Sequence, residues 1–406
     1  MLSLTGTWMQ NVAQAWLVYS MTGSSLMLGT VGFASNIPVF LLAPIGGAVA
    51  DRQNRHHIVV ATQATAMLLA FALAVLTLTG RIQVWQVVGL AALLGTVNAF
   101  DIPARQSFFV EMVGKEDLLN AIALNSSMFN AARVAGPAVA GILVASIGEG
   151  WCFMVNAISY LAVIAGLLLM RLKAPPAQSR ARGSALTELL EGVRFVRGAA
   201  PIRDLLIMIG VISLLGTPYS VLMPIFAEGI FHAGPRGLGL LMGATGIGAV
   251  LGALSVAART GVKGLAAMNG RASAAFGICL AVFALSHWFW LSLVVLIPVG
   301  FSLMMQMACT NTLIQTMVPD HLRGRVMALY SVMFMGMAPF GAFLSGALAE
   351  KIGAPATVAI GALSCVGAAV VFELRLPAFR RRAHELIVAQ GMTGARPPAA
   401  TPPLVP

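Results

Sequence analysis

The chain has 406 residues, of which 58% are hydrophobic and 10% are charged, and its net charge is +11. A soluble protein of this size would have too few polar residues to cover its surface, so the composition excludes a soluble globule. Apolar runs long enough to cross a bilayer as helices recur along nearly the whole chain. The composition therefore indicates an all-α integral membrane protein.

The apolar runs predict twelve membrane-spanning helices of about 20 residues or more. In chain order they cover residues 1–20, 27–50, 58–79, 84–110, 118–147, 151–171, 202–231, 235–258, 264–286, 288–312, 321–350 and 354–376. The first run begins at Met1 without a polar leader. We therefore expect either further residues upstream or a first helix that is truncated at that end.

The positions of the 25 lysines and arginines predict the orientation of these helices. If the first helix starts in the cytoplasm, the loops on that side carry 20 of them, whereas the opposite loops carry only Arg81, Arg236 and Lys351. This asymmetry is the positive-inside pattern, and it places both termini in the cytoplasm. The cations do not form a basic stripe, so we expect no nucleic-acid partner.

The second half of the chain repeats the first at a distance of 205 residues. Residues 120–148 align with residues 325–353 without a gap, and the glycines at 136, 141 and 148 match those at 341, 346 and 353. A parallel repeat of two six-helix units is typical of transporters whose site lies between two bundles.

This repeat and the charge distribution predict four regions. An N-terminal six-helix bundle covers residues 1–171, and a cytoplasmic connector with a short amphipathic helix covers 172–201. A C-terminal six-helix bundle covers 202–376, and a disordered cytoplasmic tail covers 377–406.

A polar turn follows the second span, where residues 47–56 read Gly-Ala-Val-Ala-Asp-Arg-Gln-Asn-Arg-His. The pattern Gly-x-x-x-Asp-Arg-x-x-Arg at this place resembles the signature of the major facilitator superfamily. The twelve spans, the long connector and the half-length repeat extend the resemblance to the whole chain. It implies two pseudo-symmetric bundles and secondary active transport by alternating access.

The resemblance implies that Gly47, Asp51, Arg52 and Arg55 form a cytoplasmic gate. Gly47 would let the second helix approach a neighbour closely, and the Asp51 carboxylate can face the start of the eleventh helix. The two arginines can pair with acids of the inner loops or with Asp101. The alternative is that these charges only set the topology.

Three segments resemble a branch of bacterial exporters that includes the enterobactin exporter and macrolide efflux proteins. They are GTWMQNVAQAWLVYSMTGSS at 6–25, NAFDIPARQSFFVEMV at 98–113 and LNSSMFNAARVAGPAVAG at 124–141. The branch implies a monomeric inner-membrane carrier that exports amphipathic small molecules, drug-like or siderophore-like, in exchange for protons. An uptake carrier for a small metabolite and a transport-inactive sensor or scaffold are the alternatives.

Three intramembrane charges form a predicted proton and charge relay: Asp101, Arg105 and Arg133. A charge inside a span is costly unless it meets a partner or water. Asp101 is the acid farthest inside a predicted span, which makes it the candidate proton carrier. It can pair with Arg133, with Arg105 or with Arg52, and the sequence does not choose. Arg133 is either a site residue or part of a structural ion pair.

The fifth predicted helix contains Gly136, Pro137 and Gly141, which resemble the Gly-Pro signature of antiporting exporters but lack its usual paired glycines. Pro137 removes a helix hydrogen bond and permits a bend.

Polar residues and flexible methionines predict the substrate cavity, although methionine is also ordinary membrane-core filler. The predicted set is Gln10, Asn11, Gln14, Phe33, Asn36, Asn130, Tyr219, Met223, Met304, Gln306, Tyr330 and Met333. The chain contains no Gly-x-x-x-x-Gly-Lys-Ser/Thr loop and no His-Glu-x-x-His pair. We therefore expect no enzymatic activity, no cofactor and no metal.

Overall fold

The computed structural model describes residues 1–113, 117–170, 185–259, 261 and 264–389, and the description below is limited to them. Thirteen helices follow one another: α1 Leu2–Thr22, α2 Ser25–Arg52, α3 Arg55–Leu78, α4 Val84–Val113, α5 Leu118–Ile147, α6 Glu149–Leu169, α7 Ala185–Gly198, α8 Ala200–Ile230, α9 Gly234–Ala257, α10 Leu265–Leu285, α11 Phe289–Met317, α12 Asp320–Ile352 and α13 Ala354–Ala389. The prediction of an all-α membrane protein is confirmed for these residues.

Eleven of these helices are long and apolar enough to cross a membrane. They are all except α1 and the connector helix α7. The 21-residue α1 packs beside the spanning helices α5 and α6. Wide π-helical turns interrupt α8 at Ile212–Gly216 and α12 at Val332–Gly336. Such turns leave backbone groups without regular helix partners and occur frequently at functional sites.

The two halves of the chain form equivalent bundles. In the first half α2 packs against α4 and α3 against α6, and in the second half α9 packs against α11 and α10 against α13. The start of α11 follows the start of α4 by the repeat distance of 205 residues, from Val84 to Phe289. The most extensive contacts between the bundles are those of α2 with α12 and of α5 with α9.

The connector helix α7 contacts the start of α12, where Glu191 forms an ion pair with Arg325. The residues between α6 and α7 lie outside the described part of the chain. The predicted disorder of the tail is wrong for residues 377–389, because α13 continues to Ala389. Phe379 and Ala383 are buried there, and the Phe379 ring packs edge-on against Phe372. Packing of these buried apolar side chains therefore holds this extension in place.

Candidate functional site

Two sides of the molecule can be distinguished by the chain turns they carry. The turn between α2 and α3, the turn between α9 and α10 and the end of α13 lie together, and we call this the basic side because Arg52, Arg55, Arg259 and Arg380 lie there. The opposite ends of the same helices form the far side. The contacts between the two bundles differ strongly between these sides.

Glycines seal the far side between α5 and α9. A Cβ atom added to Gly141 would lie 2.8 Å from the backbone oxygen of Pro235, and one added to Gly239 would lie 2.6 Å from that of Pro137. Such distances exclude any side chain, so the two backbones touch. The two predicted glycines of α5 therefore have different partners. Gly141 packs against α9 of the second bundle, whereas Gly136 packs against Trp8 of α1 in its own bundle.

The same arrangement joins α2 and α12. A Cβ atom on Gly346 would lie 2.6 Å from the backbone oxygen of Ser25, and one on Gly29 would lie 2.6 Å from that of Ala342. Gly346 is the repeat partner of Gly141, so equivalent glycines of the two halves make equivalent contacts with the opposite bundle. The match of these glycines in the sequence therefore corresponds to a shared role in joining the halves.

A carboxylate adds polar contacts between α2 and α12 on the far side. Glu350, near the end of α12, accepts hydrogen bonds of 3.1 Å from the Ser24 hydroxyl and from the backbone N–H of Leu26. An acid at the start of a helix is stabilised by the free N–H groups and the helix dipole. Glu350 is not among the site residues predicted from the sequence, although its position as an acid at the far end of the eleventh predicted span is a signal for such a role.

Toward the basic side the same helices diverge. The Phe40 ring still contacts Phe340 of α12, with 6.0 Å between the ring centroids. Beyond it, Leu41 and Ile45 of α2 are exposed, as are Leu124 and Phe129 in the first half of α5. The bundles are therefore in close contact at the far side, and from these exposed residues we infer an opening between them toward the basic side.

Charged side chains stabilise the turn after α2. Arg55 forms an ion pair with Glu111 at the end of α4 and lies 3.8 Å from the Asp51 carboxylate. The Asn54 side chain accepts a hydrogen bond of 3.0 Å from the backbone N–H of His56 and so caps the start of α3. Arg52, the remaining charged residue of the predicted gate, is exposed.

The expected close approach at Gly47 is wrong for this conformation. A Cβ atom added to Gly47 would meet no atom within 4 Å. The close contact belongs to its neighbour Gly46, which packs directly on the backbone of Ala99 and Phe100 in α4. Two adjacent helical residues face about 100° apart, so only one of the two glycines can point at α4.

Asp101 lies at the centre of a buried polar cluster in the first half, and its exposed fraction is 1%. It accepts hydrogen bonds of 2.7 Å from the Thr62 hydroxyl and 2.9 Å from the Gln63 amide, and it forms an ion pair with Arg105 one turn away. The Arg105 side chain is 51% exposed. Of the three partners that the sequence left open for Asp101, the structure selects Arg105.

Arg133 lies apart from that cluster. Its guanidinium carbon lies 6.0 Å from the centroid of the Trp8 ring, and Trp8 in turn meets Phe129 edge-on at 5.8 Å. This is the geometry of a cation–π contact. Arg133 is thus not the partner of Asp101 among the three that the sequence left open, and in the described part of the chain Arg133 forms no ion pair with an acid.

A neutral cluster occupies the equivalent place in the second half. The shift of 205 residues places Asp101 on Gln306 and Arg105 on Thr310. The Gln306 amide donates a hydrogen bond of 3.1 Å to the Thr310 hydroxyl, which donates one of 3.0 Å to Asn269 of α10. All three residues are fully buried, and the Asn269 amide nitrogen and the Gln306 carbonyl oxygen have no described partner.

The predicted cavity residues fall into two groups. Gln10, Gln14, Tyr219, Met223, Gln306 and Tyr330 are buried inside the bundles, so their placement on an open cavity is wrong for this conformation. Asn11, Phe33, Asn36, Asn130, Met304 and Met333 keep exposed or partly exposed positions. One of these buried residues, Gln10, instead accepts a hydrogen bond of 2.6 Å from the Asn156 amide.

Residues 1–392 match the model of a family described as transmembrane secretion effectors, which is part of the major facilitator superfamily. The chain belongs to this family. It is 25% identical over 368 residues to the staphyloferrin A transporter of Staphylococcus aureus, covering 90% of this chain and 92% of that protein. The multidrug efflux pump Tap of Mycolicibacterium fortuitum is 30% identical over 357 residues, covering 85% and 86%.

The enterobactin exporter EntS of Citrobacter koseri is 24% identical over 380 residues, covering 94% of this chain and 90% of that protein. The resemblance to this branch of exporters is therefore confirmed. The crystal structure of the nucleoside transporter NupG has the same fold, with a TM-score of 0.73 at 14% identity over 92% of this chain and 96% of that one. The major facilitator fold is thus confirmed, and the chain is a multi-pass membrane transporter.

Proposed function

We propose that the protein exports amphipathic small molecules from the cytoplasm in exchange for protons. One observation carries the proposal: a fully buried carboxylate, Asp101, depends for its charge partner on a half-exposed arginine, Arg105. Members of the family named as exporters and efflux pumps support the direction of transport. The basic side faces the cytoplasm by the positive-inside pattern, with the carrier acting as a monomer in a bacterial inner membrane.

The open space between the bundles suits an amphipathic substrate. Arg133 with the Trp8 and Phe129 rings provides a cation beside an aromatic surface, and Asn11 and Asn36 add exposed amides. Few polar groups on a mostly apolar wall are typical of pockets for small organic molecules. The relatives are named for staphyloferrin A, for several drugs and for enterobactin, and we infer a substrate of comparable amphipathic character.

The Asp101 cluster couples protons to this substrate through its cation. With Arg105 in place, the carboxylate has an ion pair and two hydrogen bonds that stabilise its negative charge. When substrate binding or rotation of the bundles draws Arg105 toward the cavity, a buried charge is left without its cation, and proton uptake removes that cost. The return of Arg105 expels the proton.

Alternating access uses carboxylates at opposite ends of one helix pair. In the conformation described, Glu350 of α12 binds the start of α2 and closes the far side. In the other conformation Asp51, at the end of α2, binds the start of α12 and closes the basic side. Each helix then supplies one carboxylate to the first turn of the other, and the two contacts alternate.

Export can be tested with the purified protein in liposomes loaded with a fluorescent substrate such as a dye of the ethidium type. We expect an imposed proton gradient to accelerate substrate movement against the proton flow. Movement in the same direction as the protons would instead indicate an uptake carrier. Equal rates with and without the protein, across a panel of drug-like and siderophore-like compounds, would indicate a sensor or scaffold and overturn the proposal.

A further inference from the structure

A cavity of about 420 Å³ lies on the outer flank of the second bundle, where α9 ends and α10 begins on the basic side. Its described walls come from α10, α11, Arg259 and Gly264, all in the second half of the chain, which separates it from the space between the bundles. Its lining includes Arg259, Gly264, Met268, Arg271, Phe301 and Met305. The cleft is largely apolar but contains two arginines. Transport of a substrate between the bundles does not account for them, because the cleft lies elsewhere.

The depth of Arg271 places this cleft at the boundary of the bilayer. Arg271 lies six residues after Leu265, the start of α10, which corresponds to about 9 Å along the helix axis. Both arginines are exposed, and neither forms an ion pair with an acid in the described part of the chain. The Arg259 guanidinium instead lies 3.2 Å from the sulfur of Met268. An arginine at this depth is costly without a counter-ion.

A second basic cavity provides a contrast. About 300 Å³ in volume, it lies between α8 and α13 and is lined by Arg203, Arg375 and Arg382 together with Asp204. There the Asp204 carboxylate lies 3.9 Å from Arg203 and 3.8 Å from Arg375, so the protein supplies its own counter-ion. Among the described residues that line the cleft at Arg259 and Arg271 there is no such acid.

We propose that the cleft between α10 and α11 binds an anionic phospholipid of the leaflet on the basic side. Guanidinium groups bind phosphate oxygens through paired hydrogen bonds, and basic pockets between membrane helices bind anionic headgroups. The first turn of α10 adds free backbone N–H groups beside Gly264, because no side chain caps it. The apolar wall of Met268, Phe301 and Met305 then accommodates an acyl chain, which free phosphate would not use.

The test measures lipid binding by native mass spectrometry of the purified full chain. Phosphatidylglycerol, phosphatidylcholine and inorganic phosphate are added separately. We expect phosphatidylglycerol to bind preferentially and the double variant R259Q/R271Q to weaken that binding by about tenfold, as loss of two charge-assisted contacts implies. R380Q, which removes an exposed cation of α13 on the same side, is the matched control and retains binding.

The thermal unfolding temperature without lipid, measured for all variants, separates loss of binding from loss of folding. Equal binding of phosphatidylglycerol to the wild type and the double variant overturns the proposal. So does preferential binding of inorganic phosphate, because the apolar wall would then have no role. The readout needs no transport, so it stands whether or not the export assay succeeds.

Discussion

The two halves of the molecule hold polar clusters at equivalent places, but only one of them is charged. In the first half Asp101 and Arg105 form an ion pair supported by Thr62 and Gln63. In the second half Gln306 and Thr310 occupy the same positions in a neutral hydrogen-bonded cluster. A shared fold thus needs a polar group at this place in each bundle, whereas a reaction with protons needs an acid in one bundle only.

The same contrast extends to the other charges. The shift of 205 residues places Arg133 on Ala338 and Asp51 on Val256, so these charges have no counterpart in the second half. Glu350 differs from them, since it belongs to the second half and its repeat position in the first half is Ala145. We therefore expect coupling and substrate recognition to be concentrated in the first half.

The largest expected effect is that of D101N. The amide has the shape of the carboxylate but takes up no proton, so gradient-driven efflux should fall to the rate seen without a gradient. Substrate affinity should change by less than about threefold, because Asp101 is buried away from the open space. Efflux from liposomes and equilibrium binding are the two measurements. D204N, which changes a carboxylate outside both clusters, is the control, and equally impaired efflux in it would point to a general defect.

The second largest effect is expected for replacement of Arg133. R133A removes the cation over the Trp8 ring, and we expect both substrate binding and efflux to fall by about tenfold or more, the range of a desolvated cation–π or charge contact. R133K retains a charge and should recover part of the binding. Unchanged affinity in R133A would show that this charge of the first half is structural, and the contrast between the halves would then rest on Asp101 alone.

The two helix-end carboxylates should shift the conformation in opposite directions. E350Q weakens closure of the far side and D51N weakens closure of the basic side, each by about 1 kcal/mol, or roughly fivefold in population. Labelling of a cysteine placed at the exposed Leu124 on the basic side, in a C279S background, should decrease in E350Q and increase in D51N. Shifts in the same direction would contradict an exchange of contacts between the ends of α2 and α12.

The smallest effect is expected for Q306L. The substitution removes one hydrogen bond to Thr310, which should lower the free energy of unfolding by about 1 kcal/mol. The ratio of efflux rates with and without a gradient should stay within about twofold of wild type, because a neutral residue replaces a neutral residue. Loss of that ratio would show that the second cluster also takes part in coupling.

The sequence predicted the helices, the repeat and the family, because hydrophobic length and the polar turn at 51–57 are local signals. It placed Asp101 inside a span but left three partners open, since the ion pair with Arg105 depends on rotamers and on α3. It failed at Gln10, Gln306 and Gly47, where the helix face that meets a neighbour depends on packing between helices. The end of α13 was missed because the apolar run that predicts the last span ends at residue 376, whereas the helix continues to Ala389.

The most direct measurement follows protons rather than substrate. A pH-sensitive dye inside liposomes reports proton movement when substrate is added to wild type, D101N and Q306L under otherwise equal conditions. We predict substrate-dependent proton movement in wild type and in Q306L and none in D101N. Proton movement of normal size in D101N would contradict the assignment of coupling to the charged cluster of the first half.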